Sequence, residues 1–379
     1  MNFPIEKIII DNRVVADELT RRILKNSSHI PSEIVTEEIL NVKTSKFSFT
    51  EGKRILAVTT QNGEMVKPCP GTLPPYICCQ YTVINQITQC PMDCTYCVLQ
   101  AYLKNPFITI YTNLTDIFQS IDKLLGTQPW RFFRFGTGEL SDSLALDNFT
   151  GLSRDYAEFF STKKNALIEF KTKTDSIELL LDSPTKNVVV SWSLNPQIIA
   201  DREETLSANV RDRLKAARKC QDKGFLIGFH FDPILWVPEW ESLYYELIQK
   251  LFSWVDGSGI VWISMGSLRY PPVLKEIVQK RFPKSKIVYE EMIRGLDGKM
   301  RYPRPLRVEM YKKIYQWLKE KSPDLFIYFC MESPVVWDQV MGTHPVSNGE
   351  LDFWFARSLK ERFPFLDIDV PQFDKYVIG

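Results

Sequence analysis

Apolar, β-branched runs recur along this chain: residues 76–84 (YICCQYTVI), 131–136 (RFFRFG), 166–172 (ALIEFKT), 187–194 (NVVVSWSL), 224–233 (GFLIGFHFDP) and 259–268 (GIVWISMGSL). Between them lie segments whose apolar residues fall at helical spacing, at 114–126, 175–183, 210–224 and 240–255. A strand with one solvated face alternates apolar and polar residues, whereas a run apolar nearly throughout needs cover on both faces. Such strands alternating with helices constrain the chain to a parallel sheet covered by helices. Six of these units before residue 270 predict a barrel-like α/β fold, closed or incomplete. No GxGxxG opens a helix and no GxxxxGK[ST] occurs, so neither a dinucleotide fingerprint nor a P-loop accounts for the sheet.

Around that alternation the chain divides into 1–75, 76–294 and 295–379. The first part is more polar and irregular and ends in the breaker cluster KPCPGTLPP; the last holds helical patterns at 304–321 and 349–363 with an apolar run at 325–332 between them. Its 379 residues are 44% hydrophobic, enough for a sizeable core. Lys plus Arg (47) nearly balance Asp plus Glu (46), which excludes a nucleic-acid sleeve or an acidic tail and leaves only local basic patches. The start MNFPIEKIIIDNR has no signal-peptide pattern and no run of about 18 apolar residues occurs, so a soluble, cytoplasmic, monomeric protein is expected. In that compartment eight cysteines read as ligands, reactive thiols or small buried hydrophobes rather than disulfides.

Cys90, Cys94 and Cys97 follow the first barrel-type strand, in the loop where α/β barrels place chemistry. Their spacing lets three thiolates converge from one loop. A structural zinc site needs a fourth ligand, and His29, His230 and His344 are all distant in sequence; folding can still deliver one, so zinc stays open. A 4Fe–4S cluster on three cysteines instead leaves one iron without a protein ligand, a position a substrate or cofactor can occupy. CxxxCxxC with an aromatic, Tyr96, before the last cysteine is the signature of radical S-adenosylmethionine (SAM) proteins.

The chain resembles that superfamily and, within it, the spore photoproduct lyase family. The likeness rests on CPMDCTYCVLQAYL, SDS at 141–143, KTK at 171–173, SLN at 193–195 and CMESPVVW at 330–337, and covers about residues 65–340. It implies a partial (β/α)6 TIM-type barrel with an N-terminal lobe and a C-terminal extension, a 4Fe–4S cluster on Cys90, Cys94 and Cys97, and SAM as cofactor. The implied chemistry is lyase-type: SAM is cleaved reductively to a 5′-deoxyadenosyl radical that abstracts a hydrogen atom, an electron donor such as flavodoxin or ferredoxin supplying the electron. The family's substrate is a cross-linked thymine dimer in DNA. For the cofactor, Gly136 and Gly138 let backbone approach a ligand closely, Glu139 accepts from the SAM ammonium, and Lys173 pairs with its carboxylate. Ser141 and Ser193 match serines that contact SAM in the family, Asn195 follows at a strand end, and Tyr96 lies beside the cluster.

One departure matters. The family's hydrogen-returning cysteine after the second strand corresponds to Glu139, and Val98 replaces a tyrosine after the last cluster cysteine, although Tyr96 remains. A carboxylate does not return a hydrogen atom. Cys330, at the end of a late apolar run, is either a small buried hydrophobe or a substitute thiol at the barrel mouth; Cys69, Cys78 and Cys79 read as structural and Cys220 as peripheral, and hydrogen return from deoxyadenosine itself, a tyrosine or an external reductant stays open. The stretch 294–305 reads as a hairpin whose Arg294, Lys299, Arg301, Tyr302 and Arg304 suit phosphate contacts and base stacking; the basic stretch 275–286 reads as a solvated helix face. Three readings follow: a radical SAM enzyme acting on a nucleic-acid lesion or modified base, one of the same fold acting on a peptide or small molecule, and a non-catalytic iron–sulfur or zinc protein.

Overall fold

A computed structural model describes residues 3–40, 48–71 and 74–377; Met1, Asn2 and the middle of the breaker cluster, Thr72 and Leu73, lie outside the described residues. The apolar runs form strands β1 (Thr82–Ile84), β2 (Phe133–Gly136), β3 (Ala166–Thr172), β4 (Val188–Ser193), β5 (Leu226–Ile234), β6 (Ile260–Ser267) and β7 (Ile327–Phe329). They pair in chain order, all parallel, with Val66–Pro68 added antiparallel to the outer edge of β1. Helices Leu114–Thr127, Leu152–Ser161, Val210–Asp222, Trp240–Trp254 and Arg304–Lys321 make the crossovers. The sheet curls into a partial barrel: β7 does not pair with Val66–Pro68, but the Ile77 N–H just ahead of β1 donates to the Glu332 carbonyl just past β7, 2.9 Å away.

All positions of β4 and β6 are buried, which is why these strands read as unbroken apolar runs. Alternate residues nevertheless differ in kind. Val190 and Ile263 are buried on the face away from the barrel interior, while Ser191, His230 on β5 and Trp262 point inward and share one carboxylate.

Two readings of the chain change. Residues 175–183 are a loop with one turn of 3-10 helix at Leu180–Asp182 rather than a helix. There Thr172 Oγ1 accepts from the Thr174 N–H and Thr174 Oγ1 from the Ser176 N–H, fixing the turn that leaves β3. In the irregular N-terminal stretch, Lys7–Asp11, Ser32–Val35 and Ile55–Thr59 form a parallel sheet that buries Ile8, Ile9, Ile10, Val35, Leu56 and Val58, while Ile34 on the edge strand stays exposed. This sheet also takes Ile108–Tyr111 and, antiparallel to it, Ile87–Thr88, so it reaches past the boundary drawn at residue 75. The chain thus leaves the barrel after β1, pairs with the other sheet on both sides of the cysteine segment, and returns for β2. Among the described residues no helix is long and apolar enough to cross a membrane.

Candidate cofactor pocket at the barrel rim

The cysteine segment is held from every side. Lys53 donates to the Met92 carbonyl and, at 3.0 Å, to Asp93; Arg281 forks onto Asp93 at 2.9 and 3.0 Å. The Gln100 amide donates to the carbonyls of Cys94, Thr95 and Cys97 at 3.1–3.2 Å, and Asp93–Cys94 pairs antiparallel with Glu204–Thr205. None of the three cysteines is in a disulfide. Burial pushes the Cys90 thiol up to about 12 and raises those of Cys94 and Cys97, against the pull of nearby Lys53 and Lys173, so the apo protein carries protonated thiols. They lie close enough to affect one another's ionisation, yet among the described residues no set of three or more Cys, His, Asp or Glu side chains is gathered as a metal site. Metal binding would draw them together and release their protons.

Behind the loop stands Glu204, which the sequence did not flag. It accepts from Tyr96 Oη–H, from Asn195 Nδ2 at 3.0 Å and from Arg213 Nη2 at 2.6 Å, with Lys173 Nζ 4.0 Å away. Burial works against its charge, but Lys173 and Arg213 with the two hydrogen bonds outweigh it and hold the carboxyl at about 2. Three residues read as cofactor contacts, Tyr96, Lys173 and Asn195, therefore meet on one buried anion. Arg213 also donates to the carbonyl of a fourth, Ser193, at 2.9 Å. Burial lifts the Tyr96 phenol well above its usual range, so it stays protonated.

At the end of β2 the glycines have a different use from the one expected. A Cβ on Gly136 would fall 1.5 Å from the Tyr81 hydroxyl, and one on Gly138 3.0 Å from Lys171 Cβ; protein side chains, not a ligand, fill that space. Asp142 then locks the turn to β3, accepting from Leu144, Ala145 and Lys173 N–H groups and from Thr172 Oγ1 at 2.7–3.0 Å. Around this turn are buried polar atoms with no hydrogen-bond partner among the described residues: Thr137 Oγ1, Glu139 Oε2 and Ser141 Oγ, with Gln89 Nε2 and both polar atoms of Asn85 next door. Tyr81 lies inside the barrel, and two-residue alternation places Asn85 on that same inner face, at the rim. Native interiors leave few such groups unpaired. Their concentration at the ends of β1 and β2, beside three thiols, is what a polar ligand on a cluster requires, so the residues present fit a 4Fe–4S cluster and SAM.

Deeper in the barrel Glu169 accepts from Ser191 Oγ at 2.5 Å, His230 Nε2 at 2.8 Å and Trp262 Nε1 at 3.1 Å. Burial opposes its ionisation, but His230 and Ser191 hold it at about 2. Cys330, past β7, lies 3.4 Å from Arg269 Nη2, and Arg269 pairs with Asp232 at 3.0 Å. Burial pushes its thiol up to about 11.

The hairpin expected at 294–305 exists, Ile293–Arg294 pairing with Met300–Arg301. Arg301 and Tyr302 are buried, though. Arg301 binds Asp297 at 2.6 Å and the Met331 carbonyl at 3.1 Å and covers the Tyr76 ring, while Tyr302 Oη accepts from the Trp236 N–H at 3.2 Å. Neither is available to a nucleic acid. Lys299 is half-buried, 3.3 Å from the Gly71 carbonyl, and only Arg294 and Arg304 of the five are exposed. The stretch 275–286 carries helix Val273–Arg281, whose Arg281 turns inward onto the cysteine loop.

The sequence profile of the family described as "Spore photoproduct lyase" matches residues 78–329, well over half of the chain. Spore photoproduct lyase of a Geobacillus species is 29% identical over 208 residues, which cover 54% of this chain and 61% of that protein. That of Bacillus subtilis is 26% identical over the same shares, so each match spans less than two-thirds of the relative's length. A solved spore photoproduct lyase variant with bound AdoMet and dinucleoside spore photoproduct superposes with TM-score 0.76 at 22% identity, covering 86% of this chain and 98% of that one, which speaks for a shared fold. By the extent of the profile match, from the approach to β1 to the end of β7, the chain belongs to the spore photoproduct lyase family.

Proposed function

We propose that this protein is a radical SAM enzyme whose Cys90, Cys94 and Cys97 hold a 4Fe–4S cluster with one iron open to SAM. The observation that carries the reading is the group of unpaired buried polar atoms at Thr137, Glu139, Ser141, Asn85 and Gln89 beside three thiols. Bound there, the pair supplies reductive cleavage of SAM to a 5′-deoxyadenosyl radical, the electron coming from a donor of the flavodoxin or ferredoxin class. The chain's own part is to bind and orient. Glu139 takes the ammonium, Lys173, fixed through the Asp142 lock and the Glu204 anion, takes the carboxylate, and Ser141 with Ser193 and Asn195 line the remaining rim.

Family membership supports a nucleic-acid lesion or modified base as substrate, and Arg294 and Arg304 are the exposed cations suited to phosphate. A non-nucleic-acid substrate is the second reading, favoured by the burial of Arg301 and Tyr302. With Glu139 at the family's thiol position, Cys330 is the thiol we assign to hydrogen return.

Anaerobic reconstitution with iron and sulfide tests the core of this reading: a broad iron–sulfur absorption band and deoxyadenosine release on reduction with SAM are expected. A colourless protein that keeps zinc instead ends it. Irradiated and intact oligonucleotides binding equally weakly at low salt would remove the lesion substrate alone.

A further inference from the structure

Gln89, immediately ahead of Cys90, is placed at a disadvantage twice over. Its backbone sits in the left-handed region, φ 71°, which a side chain other than glycine adopts only under constraint. The residue is 1% exposed, and its buried Nε2 has no partner among the described residues. The other end of the same amide is fixed: Oε1 accepts the Cys90 N–H at 3.2 Å. The amide plane is thereby clamped to the first cysteine of the loop, with its NH2 group held buried nearby and unspent.

We propose that Gln89 donates a hydrogen bond from Nε2 to a sulfur of the cluster held by Cys90, Cys94 and Cys97, and so sets how readily that cluster accepts an electron. This rests on the proposed function, since it requires a cluster at those cysteines. Reduction adds one electron and no proton, and much of the added charge falls on sulfur. A donor aimed at sulfur stabilises the reduced state and raises the potential; removing it makes reduction harder. The left-handed turn is the conformational condition for bringing the amide back over the loop.

The test uses the full chain, reconstituted with iron and sulfide under anaerobic conditions and titrated potentiometrically with SAM absent, the reduced cluster being followed by electron paramagnetic resonance. Gln89→Leu keeps the volume without the donor, and Gln89→Glu puts a negative acceptor in its place. Gln89→Gly removes the donor while relieving the backbone, and decides the matter where a bulkier variant fails to hold iron. Iron content equal to wild type with a midpoint shifted negative is expected for Leu and Gly, with the largest shift for Glu. Unchanged midpoints in Gln89→Leu and Gln89→Gly overturn the role assigned to Gln89 and leave the cluster reading standing. Wild-type protein that takes up no iron overturns the cluster reading itself, and this inference with it.

Discussion

Glu204 gathers two cations and two neutral donors on one buried carboxylate, so its worth is best seen in what its loss leaves behind. Glu204→Gln strands Arg213, fully buried, and Lys173 without their anion. Removing one partner of a buried pair is far more damaging than the pair is stabilising, and a loss of about 3–5 kcal/mol in urea unfolding is expected. Glu204 and Glu169 also make stability depend on acid. Each has a folded value of about 2 against an ordinary 4.5, so the unfolded state takes up protons first as pH falls. Their contribution is complete above pH 4.5 and disappears toward pH 2, while Asp142 and Asp352, raised by burial, lean the other way. Unfolding free energies measured from pH 6 to 3 should therefore decline, and Glu169→Gln should flatten that decline; an equally steep acid limb in the variant would contradict the assignment. Neither glutamate was legible in the sequence. Glu169 sits inside an apolar strand and Glu204 in an undistinguished acidic pair, and only folding brings His230 and Arg213 to them.

At the scale of elements, the strands were legible because each needs apolar residues on both faces, and the helices because their apolar stripes recur at helical spacing. The exception, 175–183, had the right spacing, yet only the single 3-10 turn Leu180–Asp182 forms there. The hairpin 293–301 was legible as a turn but not as a charged surface, because sequence does not say which arginine an aspartate inside the turn will claim. Asp297 claims Arg301. Arg301→Ala should leave Asp297 buried with a weaker partner and lower stability by about 3–5 kcal/mol. Arg294→Ala, at an exposed position, should stay within about 0.5 kcal/mol of wild type. Should nucleic acid be the partner, the double variant Arg294→Ala/Arg304→Ala should also reduce the slope of log affinity on log salt by about two; thermal melts and salt titrations separate these effects.

At the scale of the whole molecule, the cysteines divide by location. Cys94→Ala should lose the iron–sulfur chromophore and SAM cleavage, whereas Cys220→Ala, in the apolar packing of a peripheral helix, should lose about 1–2 kcal/mol and keep both. Iron analysis with a melting curve distinguishes the two outcomes, and full iron in the Cys94 variant would dismiss the loop as the binding site. The three-cysteine loop stands out by its spacing alone, but its surroundings do not, because they come from three distant stretches: Lys53, Glu204 and Arg281. Its placement has a consequence for dissection. With Ile87–Thr88 and Ile108–Tyr111 both built into the N-terminal sheet, the loop is moored to a lobe that a barrel-only fragment would discard. A chain started at residue 76 would keep every cysteine of the motif, yet it would expose Ile108 and Ile110 and cut away the lysine that braces the turn. The smallest piece of this protein that keeps the cysteine loop braced is therefore larger than its barrel.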